Sequence, residues 1–283
     1  MNNTFYTNAF RFGKMIKYIG YVEGRKVSFN VPFKPTMYVN NTGNNAHDWN
    51  ALDGNPVEPI VFGSMGEATD FIKSYSDVPN FKVYGNTNYV VQYLNEQFPG
   101  EIKWDRNMIN VTSLDIECRF GQGFPDPKDA DQEITAITMK NNIDDVYYTF
   151  GCGEYDTSKA LMQTHEVRYQ KCGDEHELLH KFVYHWAKTS PDVITGWNVE
   201  FFDIPYLVNR ITKILGESRM KFLSPWKMVE GKDTFNNNQI NIIINQNQNH
   251  SRNLNILGKR YEILVIRLLR LCNHGFLVGD LLM

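Results

Sequence analysis

At 283 residues, with 42% hydrophobic and 13% aromatic side chains, the chain is long enough for about two globular domains with real cores and is not a disordered segment. Its 29 Lys and Arg against 32 Asp and Glu leave a formal charge of −3, which excludes an overall basic protein, so any nucleic-acid contact has to be made by a local groove. The four cysteines, Cys118, Cys152, Cys172 and Cys272, form no Cys-x-x-Cys pair and have no His at zinc-finger spacing. They read as reduced thiols of an intracellular protein. No stretch reaches membrane-spanning length and the N-terminus has no basic start followed by an apolar run, so a soluble, cytoplasmic chain without a membrane partner is expected.

The first part, residues 1–107, is expected to be one domain of antiparallel β-structure with two helices. Lys14 to Tyr21 is rich in β-branched and aromatic residues, Glu23-Gly24 makes a turn, and Lys26 to Val31 returns. Pro32, Pro35 and the Asn- and Gly-rich stretch from Asn40 to Asn55 break the pattern. Ser64-Met65-Gly66-Glu67 reads as a capping box, and Ala68, Phe71, Ile72 and Tyr75 follow at helical spacing. A short strand at Phe81 to Tyr84 and an amphipathic helix from Tyr89 to Phe98, stopped by Pro99-Gly100, complete the domain. It carries no cluster suited to catalysis. Its exposed Tyr, Phe, Lys and Arg suit either a nucleic-acid-contacting module or a supporting domain.

The second part opens with Asn110 to Cys118, which alternates strictly. As a strand it turns Leu114, Ile116 and Cys118 to one face and Ser113, Asp115 and Glu117 to the other. The two carboxylates then stand about 7 Å apart, close enough to hold divalent cations between them. An ordinary solvated face is the competing reading. Beyond the loop Gly121 to Pro127, Glu133 to Lys140 and Val146 to Phe150 read as strands, so three antiparallel strands with the acidic one leading are expected. A strand at Val167 to Gln170 follows. Asp174-Glu175-His176-Glu177 then caps a helix with Leu178, Leu179, Phe182, Val183 and Trp186 on its apolar side, and Val193 to Trp197 is a short buried-type strand. His165, His176, His180 and His185 read as solvent or boundary positions. The β-β-β-α-β succession predicts a mixed α/β sheet; no Gly-x-Gly-x-x-Gly follows a strand.

Next comes Gly196-Trp197-Asn198-Val199-Glu200-Phe201-Phe202-Asp203-Ile204-Pro205-Tyr206-Leu207, with Asp203 at the entry to a helix reaching Gly216. Alone, Asp203 reads as an N-terminal cap. Together with Asp115-Ile116-Glu117 on a strand, this stretch resembles the first two exonuclease motifs of family B DNA polymerases. More narrowly, Gly123 to Pro127, Asp192 to Tyr206, Asn209-Arg210, Leu215-Gly216-Glu217 and Phe222-Leu223-Ser224-Pro225 resemble the replicative polymerases of large tailed bacteriophages, over residues 3–234. The resemblance implies an α/β protein: an α+β N-terminal domain (1–107), then a ribonuclease H-like 3′-5′ exonuclease domain with a mixed sheet, partial over 108–235. It also implies two-metal hydrolysis, with a pair of Mg2+ or Mn2+ ions about 4 Å apart clamping the terminal phosphodiester of a primer. Asp115 would bridge both ions, Glu117 would hold the one on the nucleophile side and Asp203 the other. Phe124, Asn198 and Phe202 would contact the frayed bases of single-stranded or primer-template DNA. In this family the N-terminal region can also bind its own messenger RNA.

Residues 236–283 form an unmatched tail that is rich in Asn, Gln and Ile and ends in a basic-apolar stretch. The family's third exonuclease motif, Tyr-x-x-x-Asp, is not found. Phe276 to Asp280 has its spacing but lacks the tyrosine hydroxyl, and no polymerase motif follows. The tail reads as a truncation, a frameshift or one half of a split gene. Weak nuclease activity is therefore expected unless a second polypeptide completes the site.

Overall fold

The computed structural model describes residues 4–41, 49–119, 121, 123–156, 165–234 and 237–242. The expectations for the tail beyond residue 242, Phe276 to Asp280 included, lie outside the described residues. The chain divides after Asp105 into two compact units.

In the first unit, β1 (Phe5–Phe12), β2 (Met15–Val22) and β3 (Arg25–Pro32) form an antiparallel sheet in that order. Glu23 and Gly24 both take positive φ, 49° and 80°. Two successive left-handed residues are what a two-residue hairpin needs to follow the strand twist. A second sheet has the order β5-β6-β4-β7, from β4 (Thr36–Asn40), β5 (Trp49–Asn50), β6 (Pro56–Val61) and β7 (Val83–Tyr84). Helix α1 (Met65–Tyr75) starts where the capping box places it. Ser64 Oγ accepts from Glu67 N at 3.2 Å, while the Glu67 carboxylate reaches one residue further back, to Gly63 N at 2.8 Å. Helix α2 (Tyr89–Gln97) is capped by Asn88. Ile16, Tyr18, Phe33, Met37, Met65, Tyr89 and Tyr93 close the core.

The second unit is built on a five-stranded mixed sheet. Its strands are β8 (Val111–Cys118), β9 (Ile134–Asn141), β10 (Tyr147–Gly151), β11 (Val167–Lys171) and β12 (Val193–Thr195), in the order β11-β10-β9-β8-β12. The three central strands are antiparallel, as expected, whereas β11 and β12 join the two edges in parallel. Helix α3 (Glu175–Thr189) repeats the α1 start: Asp174 accepts from Glu177 N, and Glu177 accepts from Gly173 N. Its buried face, Leu178, Leu179, Phe182, Val183 and Trp186, packs with Ile134, Ile137 and Phe150 of the sheet and with Tyr206, Leu207 and Ile211 of α4 (Asp203–Leu215). Helix α5 (Glu217–Met220) and the pair β13 (Val229–Thr234) and β14 (Asn237–Ile242) follow. This is the mixed-sheet, ribonuclease H-like arrangement the sequence implied. Of the four histidines, His176 and His180 are exposed, and His185 packs its ring 4.5 Å from Tyr148.

Candidate functional site

Strand β8 sends Thr112, Leu114 and Ile116 into the core, while Ser113 and Glu117 are exposed and Asp115 is half-buried. The half-burial of Asp115 comes from what stands beside it. The parallel partner β12 pairs only with Val111 to Ser113. It leaves β8 there because the chain turns at Gly196, and a Cβ at that position would lie 2.5 Å from Leu114 O. Only glycine allows so close an approach of backbone to backbone. The following turn is shaped by Asn198 at φ 53°, a left-handed conformation that Asn tolerates better than most residues. The Asn198 carbonyl accepts from Phe201 N and Phe202 N at 3.0 and 2.9 Å.

This turn delivers Asp203 to the stretch of β8 that β12 has left open. Asp203 is the first residue of α4; the N-cap position is Phe202, which makes no side-chain cap bond. The Asp203 carboxylate instead accepts from Ile116 N, between Asp115 and Glu117, at 3.1 Å. Asp203 is therefore a cross-element partner of the acidic strand and not a helix cap. It is 3% exposed.

Electrostatics follow from that placement. Burial, the nearby Asp115 and Glu117 charges, and only partial relief from the Ile116 amide push the Asp203 carboxyl up to about 7. Asp115 is also raised, first by burial and then by Glu117. Both folded-state values lie above those of the unfolded chain, so the contribution of these two groups to cation-free stability is greatest at low pH and falls as pH rises from about 4 to about 7. Asp203→Asn keeps an acceptor for Ile116 N and removes the charge. In EDTA at pH 8 this variant is expected to be more stable than the parent, by up to about 4 kcal/mol, and to lose most of the slope below pH 7. Urea unfolding at pH 5 and pH 8 checks this, and a variant less stable than the parent at pH 8 contradicts it.

Among the described residues, no group of three or more His, Cys, Asp or Glu side chains is arranged so that it could hold a metal ion as it stands. The donors present are carboxylate oxygens only, Asp203 raised by burial and then by the Asp115 charge, and Asp115 raised by burial and then by the Glu117 charge. Carboxylate oxygens are the donor type that hard divalent cations prefer.

Phe124 is 83% exposed, yet its ring lies 5.3 Å from that of Phe202, whose ring is in turn 5.6 Å from Tyr206. Phe124 and Phe202 are thus brought together beside the first turn of α4. Asn198 is exposed, at a left-handed backbone position that Asn tolerates well.

Residues to which the sequence reading gave no role stand just behind the site. Arg210 is paired with Glu175 through bonds of 2.7 and 2.6 Å, both side chains being buried. Glu175 also accepts from Ile134 N at 2.7 Å. The only signal for this pair was a charged residue on the otherwise apolar face of each helix.

Residues 77–257 match the DNA polymerase family B exonuclease domain. The match runs on past Thr234, where the motif resemblance stopped. The chain is 31% identical over 229 residues to the DNA-directed DNA polymerase of Escherichia phage RB69, and equally so to that of Enterobacteria phage T4. Each alignment covers 74% of this chain and 25% of the relative. It is also 32% identical over 111 residues to the DNA polymerase delta catalytic subunit of Dictyostelium discoideum, covering 37% of this chain and 9% of that protein. The chain thus spans about a quarter of the length of the two phage relatives. No helix of the described residues is long and apolar enough to cross a membrane.

Proposed function

Because the chain belongs to the exonuclease-domain family of the family B DNA polymerases, we propose that Asp115, Glu117 and Asp203 form its 3′-5′ proofreading site, hydrolysing the terminal phosphodiester of a DNA primer. The observation that carries this reading is the reach of Asp203 across to the amide between Asp115 and Glu117. It ties the two acidic motifs into one centre.

A pair of Mg2+ or Mn2+ ions, when bound, would polarise the phosphate and lower the pKa of the attacking water. The rest of the work falls to this chain. Asp115, Glu117 and Asp203 are the groups that would hold the ions, Asp203 with its orientation fixed by the Ile116 amide. Phe124 and Phe202 present a sequence-tolerant stacking surface to the bases of a frayed or single-stranded 3′ end. Asn198 stands exposed in the turn before them. A second polypeptide carrying the rest of a polymerase would be its partner in this reading. Incubating the chain with Mg2+ or Mn2+ and single-stranded DNA labelled at its 5′ end tests the polarity. A ladder shortening one nucleotide at a time from the 3′ end supports the reading, and internal cleavage contradicts it.

A second, non-catalytic reading has its own observation in the first unit. A cavity of about 520 Å3 is lined by Tyr38, Trp49, Leu52, Lys82 and Tyr84. Trp49 is 53% exposed, and Lys82 lies 4.5 Å above the Tyr84 ring. The exposed Trp49 ring beside the half-exposed tyrosines suits stacking with single-stranded nucleic acid, a message included, while Lys82 is shared with Asp53 at 2.7 Å. Filter binding of RNA to the full chain is the test. Retention that weakens with salt and with Trp49→Ala supports it, and salt-insensitive retention removes it.

A further inference from the structure

Helix α4 does more than deliver Asp203. One of its faces, Tyr206, Asn209, Arg210 and Lys213, repeats at three, four and seven residues. All four side chains grip the backbone of a single loop, residues 123–132. Tyr206 Oη donates to Gln132 O at 2.7 Å and accepts from Gln132 N at 3.0 Å. Asn209 Nδ2 donates to Pro127 O at 2.8 Å. Arg210 Nη1 donates to Ala130 O and Asp131 O at 3.1 and 3.0 Å, and Lys213 Nζ donates to Asp129 O at 3.0 Å. The loop needs such a hold, since Ala130 is fully buried at φ 42°, a conformation that an alanine keeps only when its surroundings impose it. Near the start of this loop stands Phe124.

We propose that Tyr206, Asn209, Arg210 and Lys213 are positioning residues, which fix the Phe124 loop to the same helix that carries Asp203 and so set where a 3′-terminal base is received relative to the acidic site. The inference rests on the base-stacking role given above to Phe124. Its physical content is a rigid link. The ring series Phe124, Phe202, Tyr206 and the clamp series Tyr206, Asn209, Arg210, Lys213 meet at Tyr206. The bonds from α4 hold the loop at Pro127 and at 129–132, and Phe124 follows through the short stretch before them and through its contact with Phe202.

The test uses the full chain, Ca2+ in place of Mg2+, and a single-stranded oligonucleotide with 2-aminopurine as its 3′-terminal base. Asn209→Ala and Lys213→Ala each remove one clamp bond and avoid the buried Arg210 pair. Each is expected to weaken capture of the terminal base by about fivefold, the worth of one such bond. Each should also move the bound fluorescence toward that of Phe124→Ala. Combined with Phe124→Ala, neither should lower the affinity further, because both changes act through the same ring. A clamp that is only structural lowers the melting temperature and leaves the fluorescence as in the parent, and that result overturns the proposal. Full additivity with Phe124→Ala overturns it as well. If the parent gives no terminal-base signal, the stacking role itself fails and the proposal fails with it. A signal lost in Phe124→Ala but kept in Asn209→Ala removes the clamp alone.

Discussion

Asp115→Asn is expected to lower metal-dependent release of 3′-terminal nucleotides by at least about 100-fold, measured against the parent chain on end-labelled single-stranded DNA. Where the reaction needs a second polypeptide, both proteins are compared in its presence. The substitution is nearly isosteric and half-buried, so the fold has no reason to change. What it removes is charge, from the residue whose field reaches Asp203 most strongly. Asn offers a neutral oxygen in place of an anionic one, and a divalent cation binds the latter far better. Glu117→Gln should act in the same direction. Exposed at the solvent end of the acidic face, it leaves the core untouched. Undiminished release by Asp115→Asn would take the reaction away from this strand.

The second large effect is on stability. Arg210→Met is expected to cost about 3–5 kcal/mol of unfolding free energy, because it strands the Glu175 carboxylate in the core without its partner. That loss is a large share of the whole stability of a domain. It also frees the Ala130 and Asp131 carbonyls of the 123–132 loop. The pair itself is not a strong net stabiliser, since burying both charges costs nearly what their attraction returns. Glu175→Gln/Arg210→Met is therefore expected to be more stable than Arg210→Met alone. Denaturant unfolding of the two variants decides the matter. A single variant within about 0.5 kcal/mol of the parent would show that the pair is not held as described.

Much of this molecule could be read locally. The alternation of 111–118, the hairpin at Glu23-Gly24, and the starts of α1 and α3 at Ser64 and Asp174 are written in adjacent residues. Local chemistry decides them and the structure keeps them. The early end of β12 could not be read this way. It depends on the carbonyl of Leu114 lying under Gly196, two residues far apart in the chain. The parallel attachment of β11 and β12 is equally non-local. Asp203 looked like a cap from its position alone, and only the gap beside β8 shows that its carboxylate is used elsewhere. The clamp face of α4 was hidden for a related reason: its partners are backbone carbonyls, which leave no mark in a sequence.

Asp115, Glu117 and Asp203 are proposed to hold divalent cations together. Manganese binding followed by electron paramagnetic resonance tests this most directly, because it needs neither turnover nor a partner. The parent is predicted to bind Mn2+ saturably, in competition with Mg2+, and Asp115→Asn/Asp203→Asn is predicted to lose that binding while remaining folded. Equal Mn2+ binding by the parent and the double variant would contradict the account.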